Sequence, residues 1–178
     1  MTEQGSGDQE AKFEDIQLVV FDIGSEEFGV AIDRVREIIP MEQITQVPRT
    51  PPFVKGVIDL RGMVIPVIDL QERFGIAAGE DQSQDRIIVV EMADQVVGCT
   101  VDSVTEVLTL PGDSVKPPPA AVASVDSEYL WGVGRYDERL LLLLDLDKVL
   151  SRQEVEELGA AAESGAAAER AEDAASGE

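Results

Sequence analysis

The sequence predicts an all-β fold, and three observations carry that expectation. Hydrophobic residues make up 44% of the 178 positions, enough for a true core, while aromatics are only 4%, so that core is aliphatic. Val, Ile and Leu fall in short clusters of strand length. Turn residues separate these clusters at regular spacing, giving about nine strands, the pattern of a sandwich or of small barrels. No alternation of strands with helices suggests a parallel sheet. The length suits one domain with tails.

Residues 17–23 (QLVVFDI) and 28–32 (FGVAI) flank Gly24-Ser25-Glu26-Glu27 and read as a hairpin. Val35, Ile38 and Ile39 recur at i, i+3, i+4, which fits a short helix or a turn into a strand. Pro48, Pro51 and Pro52 mark a loop. Residues 56–70, GVIDLRGMVIPVIDL, carry two copies of Val-Ile-Asp-Leu around Arg61-Gly62. Glycine permits a tight turn there, so a second hairpin is expected. Pro66 cannot donate to a ladder, which places its strand at an edge or a bulge.

One helical turn fits 71–75, and strands fit 86–92, 95–101 and 104–110. A proline-rich loop at 116–119 precedes a last hairpin, 129–136 and 139–146, turning at Asp137-Glu138. Val149, Leu150, Val155 and Leu158 suit a terminal helix over 147–158. Residues 1–14 and the Ala/Glu-rich segment 158–178 are expected to be disordered. Beyond Leu158 no large apolar side chain offsets the entropy of ordering that tail.

The net charge is −22, and it is not confined to the ends: 23 acidic against 12 basic residues fall within 16–153. Such self-repulsion is best tolerated where salt screens it, to within about 3 Å at 1 M, which points to a salt-rich cytoplasm. It also disfavours nonspecific binding to nucleic acid or anionic lipid. The single cysteine, Cys99, sits in an apolar run, where a buried small hydrophobe is expected; it can form no intramolecular disulfide. No apolar run approaches the roughly 20 residues of a membrane helix, and a soluble, intracellular protein is expected.

Catalytic signals are missing. The chain has no histidine, which removes the usual general base and the commonest metal ligand. No phosphate-cradling glycine loop, nucleophile elbow or zinc-protease helix is present. Gly132 and Gly134 echo part of a dinucleotide fingerprint but lack its third glycine and helix, and read as hairpin or bulge glycines. Asp59 with Asp69, and Asp145 with Asp147 on one strand face, are the pairs a carboxylate-dependent hydrolase would use. Solvated charge is the plainer reading of both. No catalytic residue, metal or cofactor is assigned, and an SH3-like nucleic-acid binder would need a basic stripe that the acidic core does not offer. An interaction module remains.

The segment Pro52 to Leu70, PFVKGVIDLRGMVIPVIDL, resembles the signature of the CheW family, the coupling proteins of chemotaxis. Further motifs match in order: Gly24-x-x-x-Phe28-Gly29-Val30, Val35-x-Glu37-Ile38, Val97-Gly98-x-x-Val101-Asp102-x-Val104, and Glu128-Tyr129-Leu130-x-Gly132-x-Gly134. The resemblance spans a domain of residues 15–157. It implies two interlocked, five-stranded, SH3-like barrels sharing one aliphatic core, and a non-enzymatic adaptor. Such an adaptor bridges the cytoplasmic tips of chemoreceptors (methyl-accepting transducers) and the regulatory domain of the histidine kinase CheA, and is recruited from the cytoplasm to membrane-associated receptor arrays.

By motif, the receptor groove is implied to involve Val35, Glu37, Ile38, Gly56, Arg61, Gly62, Val101 and Val104. One kinase contact is implied at Ile44, Thr45, Gln46, Met63 and Val64, and a second after Lys116. Val35 and Ile38 have a plain alternative as core residues, and Gly56 and Gly62 as backbone hinges of the fold. Glu37 and Arg61 are opposite charges at the groove rim and are expected to pair. Two departures stand out: Asp59 occupies a position that is usually Asn in the family, and Ala120-Ala121 follows the proline loop where relatives can carry a charged and an aromatic residue.

Overall fold

A computed structural model of the chain describes residues 14–77, 85–119, 121–122 and 125–176. The ends expected to be disordered at 1–13 and 177–178, and Ala120, lie outside these residues. Among the described residues, thirteen strands form two main sheets and a two-stranded pair. The first sheet comprises β1 (Ile16–Ile23), β2 (Glu26–Ala31), β8 (Ser103–Leu110), β9 (Val115–Lys116), β12 (Leu130–Tyr136) and β13 (Arg139–Leu144), in the order β8-β1-β2-β13-β12-β9. The second comprises β3 (Val35–Pro40), β4 (Val54–Leu60), β5 (Met63–Asp69), β6 (Arg86–Met92) and β7 (Gln95–Val101), ordered β3-β6-β7-β5-β4. The pair is β10 (Ala121–Val122) with β11 (Val125–Asp126).

Strands β1, β5, β6, β7 and β13 are buried on both faces, which is why they read as near-continuous apolar runs, while β3, β8 and β12 alternate with exposed residues. In β1, Val19, Phe21 and Ile23 point into a core shared between the sheets, while Leu18 and Val20 join Leu108, Leu110, Leu141 and Leu143 on the other face. In β6, Ile88, Val90 and Met92 enter the shared core, and Ile87 and Val89 join Ile39, Ile58, Ile65 and Val67 behind it. Each sheet therefore curls around a cluster of its own and presents its other face to its partner. The few aromatics cluster in the shared core, where Phe21, Phe28 and Phe74 stack at 5.8 and 5.5 Å between centroids and Tyr129 continues the column at 5.2 Å.

Local chemistry sets the turns. Arg61 and Gly62 both have positive φ (53° and 88°), as a two-residue hairpin turn with strand-matching twist requires. The Asp59 carboxylate accepts the Gly62 N–H at 2.8 Å and so caps that turn. Helix α1 (Leu70–Phe74) starts on Asp69, whose carboxylate accepts from the N–H groups of Gln71 and Glu72, and ends on left-handed Gly75. Helix α2 (Arg152–Ser176) opens with a capping box: Ser151 Oγ accepts from Glu154 N, and Glu154 accepts from Ser151 N.

Several expectations are corrected. Of the two readings of 33–39 the short helix fails and the turn into a strand holds: a 3-10 turn at Ile32–Arg34 leads into Val35 to Pro40, an outer strand paired with β6. Pro66 does not lie in an outer strand, because β5 is flanked by β4 and β7. The parallel ladder to β7 begins only at Val67, however, so at Pro66 the strand has a ladder neighbour on the β4 side alone. Two parallel pairs, β2 with β13 and β5 with β7, join distant segments. Asp145 and Asp147 lie past β13 in a loop, not on a strand face. Helix α2 begins at 152 rather than 147 and runs through the segment expected to be disordered. Leu158 and Ala161 are buried there.

Candidate docking surface

Strands β3 and β4 are the outer strands of the second sheet, and the chain brings their ends together. Arg61 donates from both terminal nitrogens to the two carboxylate oxygens of Glu37 in β3, one contact measuring 3.2 Å. The expected pair therefore forms. The hydrogen bond from Arg61 holds the Glu37 carboxyl below its ordinary range, and the same bond raises the Arg61 guanidinium. Beyond β3, Thr45 exchanges two backbone hydrogen bonds with Val57 of β4, at 2.9 and 2.8 Å.

Exposed apolar side chains neighbour the pair in sequence. Ile38 is 40% exposed and Met63 52% exposed, next in sequence to Glu37 and to the Arg61-Gly62 turn. Met41 is exposed as well. Val35 and Val104 are half-buried against the shared core. Of the receptor set, then, Val35, Glu37, Ile38, Arg61, Gly62 and Val104 are at least partly accessible. Val101 and Gly56 are not. Val101 is 2% exposed and faces the shared core. Gly56 is buried at φ 146°, and a Cβ there would stand 2.1 Å from the Thr45 carbonyl oxygen. These two positions hold the backbone in place and offer no side chain to a partner.

The kinase set divides. Ile44 packs on the second sheet's own cluster, Thr45 is bridged to β4, and Gln46 is exposed. Val64 is half-buried against Val47, Val57 and Ala161, the last of these on α2. Lys116 lies on the other sheet, in β9 beside Val133, where it lines a recess of about 460 Å³ with Ser114, Arg135 and Leu140. Met63 and Val64, with Ile44 to Gln46 in the loop between β3 and β4, thus lie at the second sheet, and Lys116 lies in the first. Of the Ala120-Ala121 departure, Ala121 opens β10.

The carboxylates do not assemble a catalytic centre. Asp59 and Asp69 cap opposite ends of β5, and Asp69 faces Lys55 at 3.9 Å. Asp145 accepts the Asp147 N–H, and Asp147 pairs with Arg34 at 2.8 Å, which lowers its titration. Among the described residues no group of His, Cys, Asp or Glu is placed to hold a metal ion. Among them, too, no helix is long and apolar enough to cross a membrane. Cys99 is fully buried, and burial pushes its thiol up to about 12. Gly132 adjoins a register shift in β12, in keeping with a bulge glycine.

Sequence reading expected a terminal helix but missed its packing beside Val64, and it missed Arg73. The start of α2 at 152 was signalled by Ser151-x-x-Glu154, a capping box directly ahead of Val155 and Leu158. Arg73, which joins α1 to α2 through Glu154, has no signature beyond its place in a one-turn helix.

The CheW-like domain profile matches residues 17–154. A chemotaxis protein CheW from Klebsiella aerogenes is 37% identical over 139 residues, covering 78% of this chain and 84% of that protein. One from Thermotoga maritima is 32% identical over 146 residues, covering 80% and 93%. The crystal structure of the scaffolding protein TtCheW from Thermoanaerobacter tengcongensis superimposes with a TM-score of 0.73 at 35% identity, covering 79% of this chain and 91% of that one. With the ordered motifs, two sheets and no catalytic grouping among the described residues, the chain belongs to the CheW family of non-enzymatic chemotaxis coupling proteins.

Proposed function

We propose that this chain couples the cytoplasmic tips of chemoreceptors to the regulatory domain of a CheA-type histidine kinase. The observation that carries the receptor half is the Glu37–Arg61 pair, with exposed Ile38 and Met63 close to its two members in sequence. An oriented ion pair accompanied by accessible apolar side chains suits an amphipathic helical tip, since apolar burial supplies affinity and the charges fix register. The receptor-facing residues are then Val35, Glu37, Ile38, Arg61, Gly62 and Val104. The kinase faces Ile44, Thr45, Gln46, Met63 and Val64, with a second contact around Lys116. The two sheets, each curled on a cluster of its own beside a common core, serve as the two interlocked barrels of the family. The adaptor works in the cytoplasm, at receptor arrays, and its charge suits a salt-rich one.

The test is a pair of titrations at molar salt, one with a receptor-tip fragment and one with the kinase regulatory domain, and then a titration with both together. Simultaneous binding of the two is expected. Mutually exclusive binding, or binding to neither, overturns the coupling role.

A further inference from the structure

The two halves of α2 are held very differently. Its start is tied down by specific contacts: Glu154 caps Ser151 and pairs with Arg73, Gln95 donates to the Val155 carbonyl at 3.0 Å, and Leu158 is 1% exposed. From Gly159 to Gly165 the buried contacts come from small residues. Ala161 is 2% exposed, and Gly165 lies so close to β4 that a Cβ on it would stand 2.5 Å from Val57 Cγ2. Val57, Val47, Ala161 and the half-buried Val64 form a small cluster separate from the shared core.

Val57 is also the residue bridged to Thr45. Helix α2 therefore lies over the place where Thr45, Val57 and Val64 converge, on an outer strand of the second sheet. Thr45 and Val64 belong to the kinase contact assigned under the proposed function. Resting on that assignment, we propose that residues 159–176 of α2 form a displaceable cover over the kinase-docking edge of β4, so that undocking of the cover sets the affinity for the kinase regulatory domain.

Three features make the cover displaceable. Alanine and glycine bury little apolar area. Gly159 and Gly165 both weaken the helix itself. A crevice of about 510 Å³ separates Glu157, Ala160 and Ser164 from the loop at Val47, Arg49 and Thr50, so one flank of the helix is loosely packed. A partner that needs Thr45 and Val64 binds only the uncovered fraction, and its apparent affinity falls by that fraction.

The test is a titration of the kinase regulatory domain into four forms of the protein, with a receptor-tip fragment as control. Ending the chain after Leu158 should tighten kinase binding by about 3- to 10-fold. In the full chain, Gly165→Ala pushes α2 against Val57 and should tighten it by a smaller factor. Gly159→Ala should weaken it by about 2- to 5-fold, because it favours the helix and its Cβ meets only Gln95 Nε2 at 3.5 Å. Receptor-tip binding should not change in any form. Equal kinase affinity in all four overturns the cover while leaving the docking assignment standing. Weaker binding on truncation also overturns it, by making α2 part of the interface. No kinase binding by any form overturns the docking assignment and the cover together.

Discussion

Arg61, at the tip of the β4–β5 hairpin, donates to both carboxylate oxygens of Glu37 in β3, and so ties together two strands at opposite sides of a five-stranded sheet. The Thr45–Val57 bridge crosses the same gap further along. The rim of the candidate receptor groove is thus also a closure of the sheet. Because the pair is exposed, solvent screens it and its role is to orient rather than to stabilise.

Its titration is directly measurable. Glu37 is held below its ordinary value of 4.5 by the hydrogen bond from Arg61. For a depressed acid, whatever it contributes to the fold is present above the ordinary value and is lost as pH falls through the folded-state value. A carboxyl-detected NMR titration should find Glu37 below 4.5 in the parent and returned toward it in Arg61→Ala. Receptor-tip binding to Arg61→Ala, Glu37→Ala and the double variant should be non-additive; additive losses would show that the two side chains act separately.

Gly56 makes the opposite kind of prediction, on stability rather than binding. Its φ of 146° and the 2.1 Å approach to the Thr45 oxygen leave no room for a methyl group. Gly56→Ala should destabilise by about 2–4 kcal/mol in a urea melt. A loss below about 0.5 kcal/mol would mean that the Thr45 strap moves away without cost.

How far the sequence reveals this arrangement depends on whether a feature is local. The Arg61-Gly62 turn and the hairpin strands on either side of it were legible from turn chemistry, while the non-local Glu37–Arg61 pair was legible only through the family resemblance, which implied a shared rim for two opposite charges. The parallel pairings of β2 with β13 and β5 with β7 were not, because no spacing rule links segments so far apart. Val101 is a groove residue only as the family motif implies it, and in a strand buried on both faces alternation cannot show that it faces the core instead. The second half of α2 escapes a sequence reading because its contacts are made by Ala161 and Gly165, which carry no hydrophobic signal.

Asp22 offers a test of electrostatic strain inside the fold. Burial raises its titration, the Ser103 hydroxyl offsets part of that by donating to it at 3.0 Å, and Glu27 and Asp102 add repulsion. For an acid with a raised folded-state value, ionisation works against the fold as pH rises through that value. Asp22→Asn should therefore raise the melting midpoint at neutral pH, and the gain should shrink as pH falls through the carboxylate range. The exposed Glu128→Gln, which removes an equal charge, should give a smaller gain. Equal gains would assign the effect to net charge alone.

Net charge has its own test. With −11 inside residues 16–153, repulsion is spread over the folded domain, and salt should relieve it. The melting midpoint should climb between low salt and about 2 M KCl, where the Debye length falls to roughly 2–3 Å. A flat or falling midpoint would refute adaptation to a salt-rich cytoplasm and leave the coupling role untouched.

Salt should barely affect the interaction that joins α1 to α2. Arg73 donates from Nε to the Val149 carbonyl at 2.8 Å and from its two terminal nitrogens to Glu154 at 2.7 and 2.9 Å. Its guanidinium lies 5.1 Å from the Phe53 ring centre and 5.3 Å from that of Tyr129. Both charged side chains are only about one-fifth exposed (19% and 21%), so this pair is far less screened than Glu37 with Arg61. A forked, two-point pair of this kind is stronger than a single-point contact, and the flanking rings add to it. Arg73→Met keeps the length and the apolar packing but strands Glu154 and the Val149 carbonyl, and should cost about 2–3 kcal/mol. Glu154→Gln should cost about 1 kcal/mol, because the amide oxygen still accepts from Ser151. The double-variant cycle should return a coupling of about 1–2 kcal/mol that persists in about 2 M KCl. A coupling that disappears in KCl would place the pair in solvent, and the start of α2 would then rest on Leu158, the Gln95 hydrogen bond to Val155 and the Ser151 cap.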